Sequence, residues 1–159
     1  MLIALISDTH IPDKAGALPE ALVERLRTVD LILHAGDFTS LEVLNYLKTL
    51  ASTEAVYGNV DEPSLKSILP RNRIVEAEGF RIGLTHGDGV SGTTQDRARR
   101  AFDGVDCIVF GHSHSPLVAR QGPVLMVNPG SPTDRRRSPR PSFGLLRATE
   151  RLDAEIVYL

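Results

Sequence analysis

Leu2-Ile-Ala-Leu-Ile6, followed at once by Ser7-Asp8-Thr9-His10, is the stretch that decides how this chain is read. An apolar run without polar alternation does not suit a strand with one wet face; it suits a short strand buried on both faces of a largely parallel sheet. A turn with Pro12, Gly16 and Pro19 leads out of it. From Glu20 to Val29 the apolar residues Leu22, Val23, Leu26 and Val29 recur at helical spacing, and Pro19 is tolerated at the first turn. Leu31 to Leu33 reads as a second buried strand, Leu41 to Leu50 as a second amphipathic helix capped by Ser40, and Ala55 to Tyr57 as a third strand. Strands alternating with helices imply right-handed crossovers and a parallel sheet.

The second half has a different rhythm. Arg73–Ala77 and Phe80–Thr85 flank Glu78-Gly79, a hairpin signal, and a helix is expected from Thr94 to Phe102. Short β segments follow at Cys107–Phe110, Leu117–Arg120, Val124–Val127, Phe143–Arg147 and Glu155–Tyr158, separated by turns containing Gly or Pro. The expectation is a mixed α/β fold with a parallel half and a more antiparallel half, compatible with two sheets packed face to face between helices.

Composition bounds the function. The 159 residues suit one domain spanning 1–159, and 42% hydrophobic against 24% charged residues is the ordinary globular mix, not that of a disordered chain. With 18 basic and 20 acidic residues the net charge of −2 supplies no global field for nucleic acid or an anionic membrane. No stretch approaches the roughly 18 apolar residues that cross a bilayer, and Leu2–Ile6 is too short for a signal-peptide core, so a soluble cytoplasmic protein is expected. The lone Cys107 sits in an apolar run and reads as a small buried hydrophobe.

The side chains best suited to bind metal are concentrated at strand ends. Asp8 and His10 follow the first strand, Asp37 the second, Asn59 the third, His86 the return strand of the hairpin, and His112 with His114 the strand ending at Phe110. In open α/β sheets the carboxyl ends of the strands form the ligand crevice, so these residues are expected to converge. Gly36, Gly58, Gly87 and Gly111 adjoin them, and removal of Cβ bulk lets short side chains crowd a small ligand. Within Asp8-Thr9-His10 and His112-Ser113-His114 an extended backbone would put both side chains on one face, each pair reaching one site. Carboxylate, imidazole and amide donors without thiolate suit Mn, Fe, Co, Ni or Zn. Asp8, His10, Asp37, Asn59, His86, His112 and His114 exceed what one catalytic ion needs, so two divalent ions are expected, with Asp37 as the bridging carboxylate.

Asp8-Thr-His10, Gly36-Asp37, Gly58-Asn59, Thr85-His86-Gly87 and Gly111-His-Ser-His114 resemble, in order and spacing, the motifs of the calcineurin-like metallophosphoesterase superfamily. The length and Asn128-Pro-Gly-Ser-Pro132 are similar to its compact YfcE-like branch, and the resemblance runs from Leu2 to about Leu146. It implies a four-layer αββα sandwich of two mixed sheets flanked by helices. It also implies that Asp8, His10 and His114 hold the first metal, that Asn59, His86 and His112 hold the second, and that Asp37 holds both. Asp37, Asn59 and His86 are its catalytic subset. Two features depart from the wider family: Val60 stands where many members have a histidine that helps the leaving group, and Asp88 follows His86-Gly87 where relatives often carry another histidine.

Other polar residues read more plainly. His34 lies inside an apolar strand and is expected to be buried or to support the ligands without binding metal. Asn128–Pro132 reads first as a structural turn, with shaping of the wall beside the metals as its functional reading, and Arg135 and Arg136 are the candidates to grip phosphate, against the commoner reading of that run as a solvated basic loop. The expected activity is hydrolysis of a small phosphate ester, foremost a phosphodiester, with Mn as the leading metal and a homo-oligomer allowed. The rival reading is a non-catalytic interaction scaffold, as in the retromer branch of the same fold, whose metal site is degraded.

Overall fold

The computed structural model describes all residues from Met1 to Leu159. In chain order the elements are β1 (Leu2–Ile6), α1 (Glu20–Leu26), β2 (Leu31–His34), α2 (Leu41–Leu50), β3 (Ser52–Ala55) and α3 (Pro63–Ile68). The second half contributes β4 (Asn72–Ala77), β5 (Phe80–Thr85), α4 (Thr94–Arg100), β6 (Cys107–Val109), β7 (Leu117–Gln121), β8 (Val124–Asn128), β9 (Ser142–Ala148) and β10 (Leu152–Tyr158).

Side-chain alternation along the strands builds the layers. Ile3 and Leu5 of β1 enter one core while Ala4 and Ile6 enter another; Leu31 and Leu33 of β2 likewise oppose Ile32. The first core lies between two five-stranded sheets, ordered β10-β9-β1-β2-β3 and β4-β5-β6-β8-β7, and includes Ile82, Leu84, Cys107, Val109 and Val127 from the second sheet. The outer face of the first sheet packs on Leu22 and Leu26 of α1, Leu44 and Leu47 of α2 and Leu65 of α3. On the far side, Ile108 and Met126 pack on Ala98 of α4 and on Phe102. The result is the expected four-layer αββα sandwich. Cys107 is buried between the sheets, and burial pushes its thiol pKa up to about 12.

Several local expectations shift. The division into parallel and antiparallel parts runs within each sheet, not between halves of the chain: β1, β2 and β3 are parallel, as are β5, β6 and β8, while β9, β10, β4 and β7 pair antiparallel. The reason is the crossover through α4, which returns the chain parallel to β5. β3 lies at Ser52–Ala55, ahead of the expected Ala55–Tyr57, and α3 was not anticipated because its six residues bury only Leu65. Ser40 makes no capping bond; the Leu41 N–H donates instead to Glu62 Oε1 at 2.9 Å. The helix after the hairpin begins with a capping box between Thr93 and Asp96.

Candidate metal centre

Loops leaving β1, β2, β3, β5 and β6 meet at one rim of the sandwich. There Asp8, His10 and His114 bring one ligand atom each within 4.8 Å of one another, and Asp37, His86 and His112 do the same. Asn59 joins the second group, its Oδ1 lying 3.1 Å from both His86 Nε2 and His112 Nδ1. Asp37 Oδ2 spans the groups, 3.1 Å from His86 Nε2 and 3.7 Å from His10 Nε2. The backbone that achieves this is not extended. Asp8, His10, Asp37, His112 and His114 have φ of 58°, 44°, 59°, 67° and 56°, the left-handed region that Asp and His tolerate better than most side chains and that clusters at functional sites. In consequence the expectation for the second pair fails: His112 and His114 turn to different groups, while Asp8 and His10 share one.

Ring orientation shows what the groups lack. His86 Nδ1–H donates to Ala35 O at 2.8 Å and His114 Nδ1–H to Asp134 O at 2.5 Å, so each ring presents Nε2 to the centre. His86 Nε2 faces oxygens of Asp37 and Asn59, and His114 Nε2 lies 3.3 Å from Asp8 Oδ1. Lone pairs confronting lone pairs are reconciled only by a proton or a cation. Asp8 Oδ1 is fully buried with no hydrogen-bond partner, although Asp8 Oδ2 accepts from Ser7 Oγ at 2.6 Å and His112 N at 3.0 Å. A buried carboxylate oxygen left unpaired among imidazoles fits a divalent cation.

Residues 1–151 match the calcineurin-like phosphoesterase superfamily domain. The chain belongs to the calcineurin-like phosphoesterase superfamily. It is 46% identical over 160 residues to a probable metallophosphoesterase of Methanothermobacter thermautotrophicus, covering 99% of this chain and 92% of that one. An archaeal phosphodiesterase superposes with a TM-score of 0.79 at 26% identity, covering 100% of both chains. Vps29 of Entamoeba histolytica, solved in complex with Zn2+, superposes with a TM-score of 0.79 at 28% identity, covering 99% of each.

In this calcineurin-like phosphoesterase the close approach of loops depends on two glycines. A Cβ at Gly58 would overlap Asp37 Oδ1, and one at Gly111 would overlap Ser7 Oγ and stand 2.6 Å from Asp8 Oδ2. The turn from Asn128 onward ties the loops that carry the ligands. Asn128 Nδ2 donates to Gly111 O and Ser113 Oγ at 3.0 Å each, Ser131 Oγ to Asp8 O at 2.7 Å and Thr133 Oγ1 to Thr9 O at 2.6 Å. Ser138 Oγ donates to His114 O at 2.9 Å. Sequence reading missed Thr133 and Asp134, whose partners are remote in sequence, and Ser7, whose partner Asp8 is adjacent but whose role shows only in the fold; Ser131 lay within the signal carried by Asn128–Pro132.

Electrostatics follow from this crowding. Burial raises the Asp8 carboxyl pKa, but the imidazoles of His10 and His114, 3.8 and 3.3 Å from Oδ1, with the charge of His86, overcome it and hold Asp8 well below the usual range. Burial likewise opposes ionisation of Asp37, and the His86 contact prevails to lower its pKa. His86 is the reciprocal case: burial favours the neutral ring, yet Asp37 and Asp8 push its pKa up to about 9. Burial also opposes the charge on His114, which Asp8 and the Asp134 carbonyl raise overall, whereas burial and the His86 charge lower His112.

The remaining sequence candidates separate cleanly. His34 is fully buried and stacks on Phe38 with ring centroids 3.5 Å apart; its Nδ1 accepts from Gly36 N at 3.2 Å and its Nε2 lies 3.2 Å from Thr9 Oγ1. Both nitrogens are satisfied, and burial drives its pKa down to about 3. Arg136 reaches the rim, with Nη1 3.5 Å from His112 O and Nε 3.7 Å from Asp134 Oδ2, on a backbone with φ of 47°. Arg135 turns instead onto Ser138 O at 2.8 Å. Asp88 pairs with Arg71 at 3.0 Å. No helix is long and apolar enough to cross a membrane.

Proposed function

We propose that this phosphoesterase is a phosphodiesterase working with two divalent ions, Mn foremost among Mn, Ni, Fe, Co and Zn. The observation that carries the reading is Asp8 Oδ1, buried without a partner amid imidazole nitrogens that are already oriented from behind. Asp8, His10 and His114 would hold one ion, Asn59, His86 and His112 the other, and Asp37 Oδ2 lies within reach of both groups. Ions bound there supply Lewis acidity at a phosphoryl oxygen and lower the pKa of the attacking water.

The chain's own side chains set the rest. Ala35 O and Asp134 O lock His86 and His114 with Nε2 inward, so no reorganisation precedes binding. Arg136 carries a half-exposed guanidinium beside His112 and is the residue to grip a non-bridging phosphate oxygen by charge-assisted hydrogen bonds; Arg135, occupied by Ser138, is left out of that role. Val60, 48% exposed next to Asn59, has no proton for a departing alkoxide. That favours diesters with good leaving groups over unactivated monoesters. The test is hydrolysis by purified protein, stripped with chelator and reconstituted, of matched phosphodiesters, phosphomonoesters and cyclic nucleotides. Restored turnover with Mn2+, highest on activated diesters, is expected. Undiminished turnover in metal-free protein refutes the mechanism, and full metal loading without turnover favours the scaffold reading.

A further inference from the structure

Asp61 is 3% exposed, belongs to neither metal group, and pairs with no cation. Its oxygens accept three backbone N–H bonds: Oδ2 from Gly58 at 2.7 Å and Asp37 at 3.0 Å, Oδ1 from Thr39 at 2.8 Å. These donors belong to two different loops, one leaving β2 with Asp37 and the other leaving β3 with Asn59. We infer that Asp61 is a positioning residue for the second metal group, holding the Asp37 and Asn59 loops together so that both ligand oxygens meet His86. The inference rests on the metal reading of those side chains.

The need for such a clamp arises from the backbone. Asp37 and Thr39 have φ of 59° and 75°, so the chain leaves β2 in a conformation whose N–H groups find no neighbouring strand. The cradle at Gly58 presses the two loops together, since any Cβ there would overlap Asp37 Oδ1; Val60 N–H donates to that oxygen at 3.1 Å, and Asp61 adds the tie between the two backbones. A carboxylate suits the task because it only accepts, with lone pairs enough for all three donors. An amide of the same shape has one accepting oxygen and turns its NH2 against at least one N–H, whichever way it is placed. The first metal group has its own ties in Ser131, Thr133 and Ser138, and its loop is also joined to the Asp37 loop by His10 N–H donating to Asp37 O at 3.1 Å, so Asp61 bears chiefly on the Asp37–Asn59 contact.

A merely structural carboxylate, when replaced, would lower stability and leave metal binding by the folded protein unchanged. The experiment is Mn2+ titration of wild type and Asp61→Asn, at a temperature where circular dichroism shows both folded, read by electron paramagnetic resonance for ion number, affinity and spin coupling. Wild type is expected to take two coupled ions. Asp61→Asn is expected to keep one and to lose the coupling, its second ion bound about 10- to 100-fold more weakly. Two coupled ions at wild-type affinity in Asp61→Asn overturn the inference, even if the variant melts earlier. Failure of wild type to take two ions refutes the metal reading and this inference with it. Should Asp61→Asn not fold, hydrogen exchange in metal-free wild type decides: the Asp37, Thr39 and Gly58 amides should exchange as slowly as strand amides, and loop-like rates overturn the clamp.

Discussion

Metal loading of this protein should release a proton from His86, and the pH at which affinity stops rising measures it. The ring is fixed by Nδ1–H on Ala35 O, so Nε2 holds either a proton or a metal. With Asp37 Oδ2 at 3.1 Å and Asp8 nearby, its pKa stands at about 9, well above the ordinary value of about 6.5. At pH 7 the proton is then bound roughly 100-fold in excess, and displacing it costs about 3 kcal/mol. Apparent affinity for the second ion should climb about tenfold per pH unit between pH 7 and 9 and level off above. A histidine at its ordinary pKa would level off near pH 7, which is what the sequence alone suggests. The assay is competition with a chromophoric chelator across pH 6 to 9.5, with a pH-stat count of protons released on loading. A flat affinity above pH 7 with no proton released refutes the reasoning. Linkage extends this to the metal-free fold. The raised His86 pKa contributes stability that is full below about pH 6.5 and lost as pH rises through about 9. His34, depressed to about 3, acts oppositely, its stability lost as pH falls below about 6.5. The melting temperature of metal-free protein should therefore peak near pH 6.5.

Asp37→Ala should be the most damaging single change to metal content, since Oδ2 lies within 4 Å of histidines in both groups, whereas His34→Ala should retain both ions while losing about 2 to 4 kcal/mol of stability; metal analysis and denaturant unfolding separate these, and a reversed order refutes the ligand assignment. Gly111→Ala drives a methyl group into Ser7 Oγ and Asp8, and should cost about 1 to 3 kcal/mol and weaken the Asp8 site; unfolding and metal titration equal to wild type would show that the loops relax freely. Val60→His should raise kcat/KM on alkyl diesters about 100- to 10,000-fold with little change on nitrophenyl diesters, and no gain in folded, metal-loaded variant would show that Val60 does not set the preference.

How legible the molecule was in its sequence depends on the range of the forces involved. β1 was read to the residue because a run buried on both faces leaves an unmistakable apolar signature, and α2 likewise because its apolar stripe is continuous. α3 escaped because a six-residue helix burying one leucine has almost no periodicity. Ser40 was misjudged for a related reason: the group that caps Leu41 is Glu62, brought there only by folding.

For the site, chemical type and position at strand ends were enough to single out Asp8, His10, Asp37, Asn59, His86, His112 and His114, since few other arrangements place so many oxygen and nitrogen donors beside glycines. What they do individually was decided by tertiary structure. His112 and His114 part company because left-handed backbone angles replace the extended geometry that spacing suggests. Asp61 is a buried acceptor of three amides, two of them from a loop more than twenty residues upstream of it. His34 and His86 carry the same imidazole, yet one is driven to about 3 and the other to about 9, because burial prevails at His34 while contacts with Asp37 and Asp8 overcome it at His86. Donor chemistry is written in single residues; proton affinity and aim depend on neighbours that only the folded chain supplies.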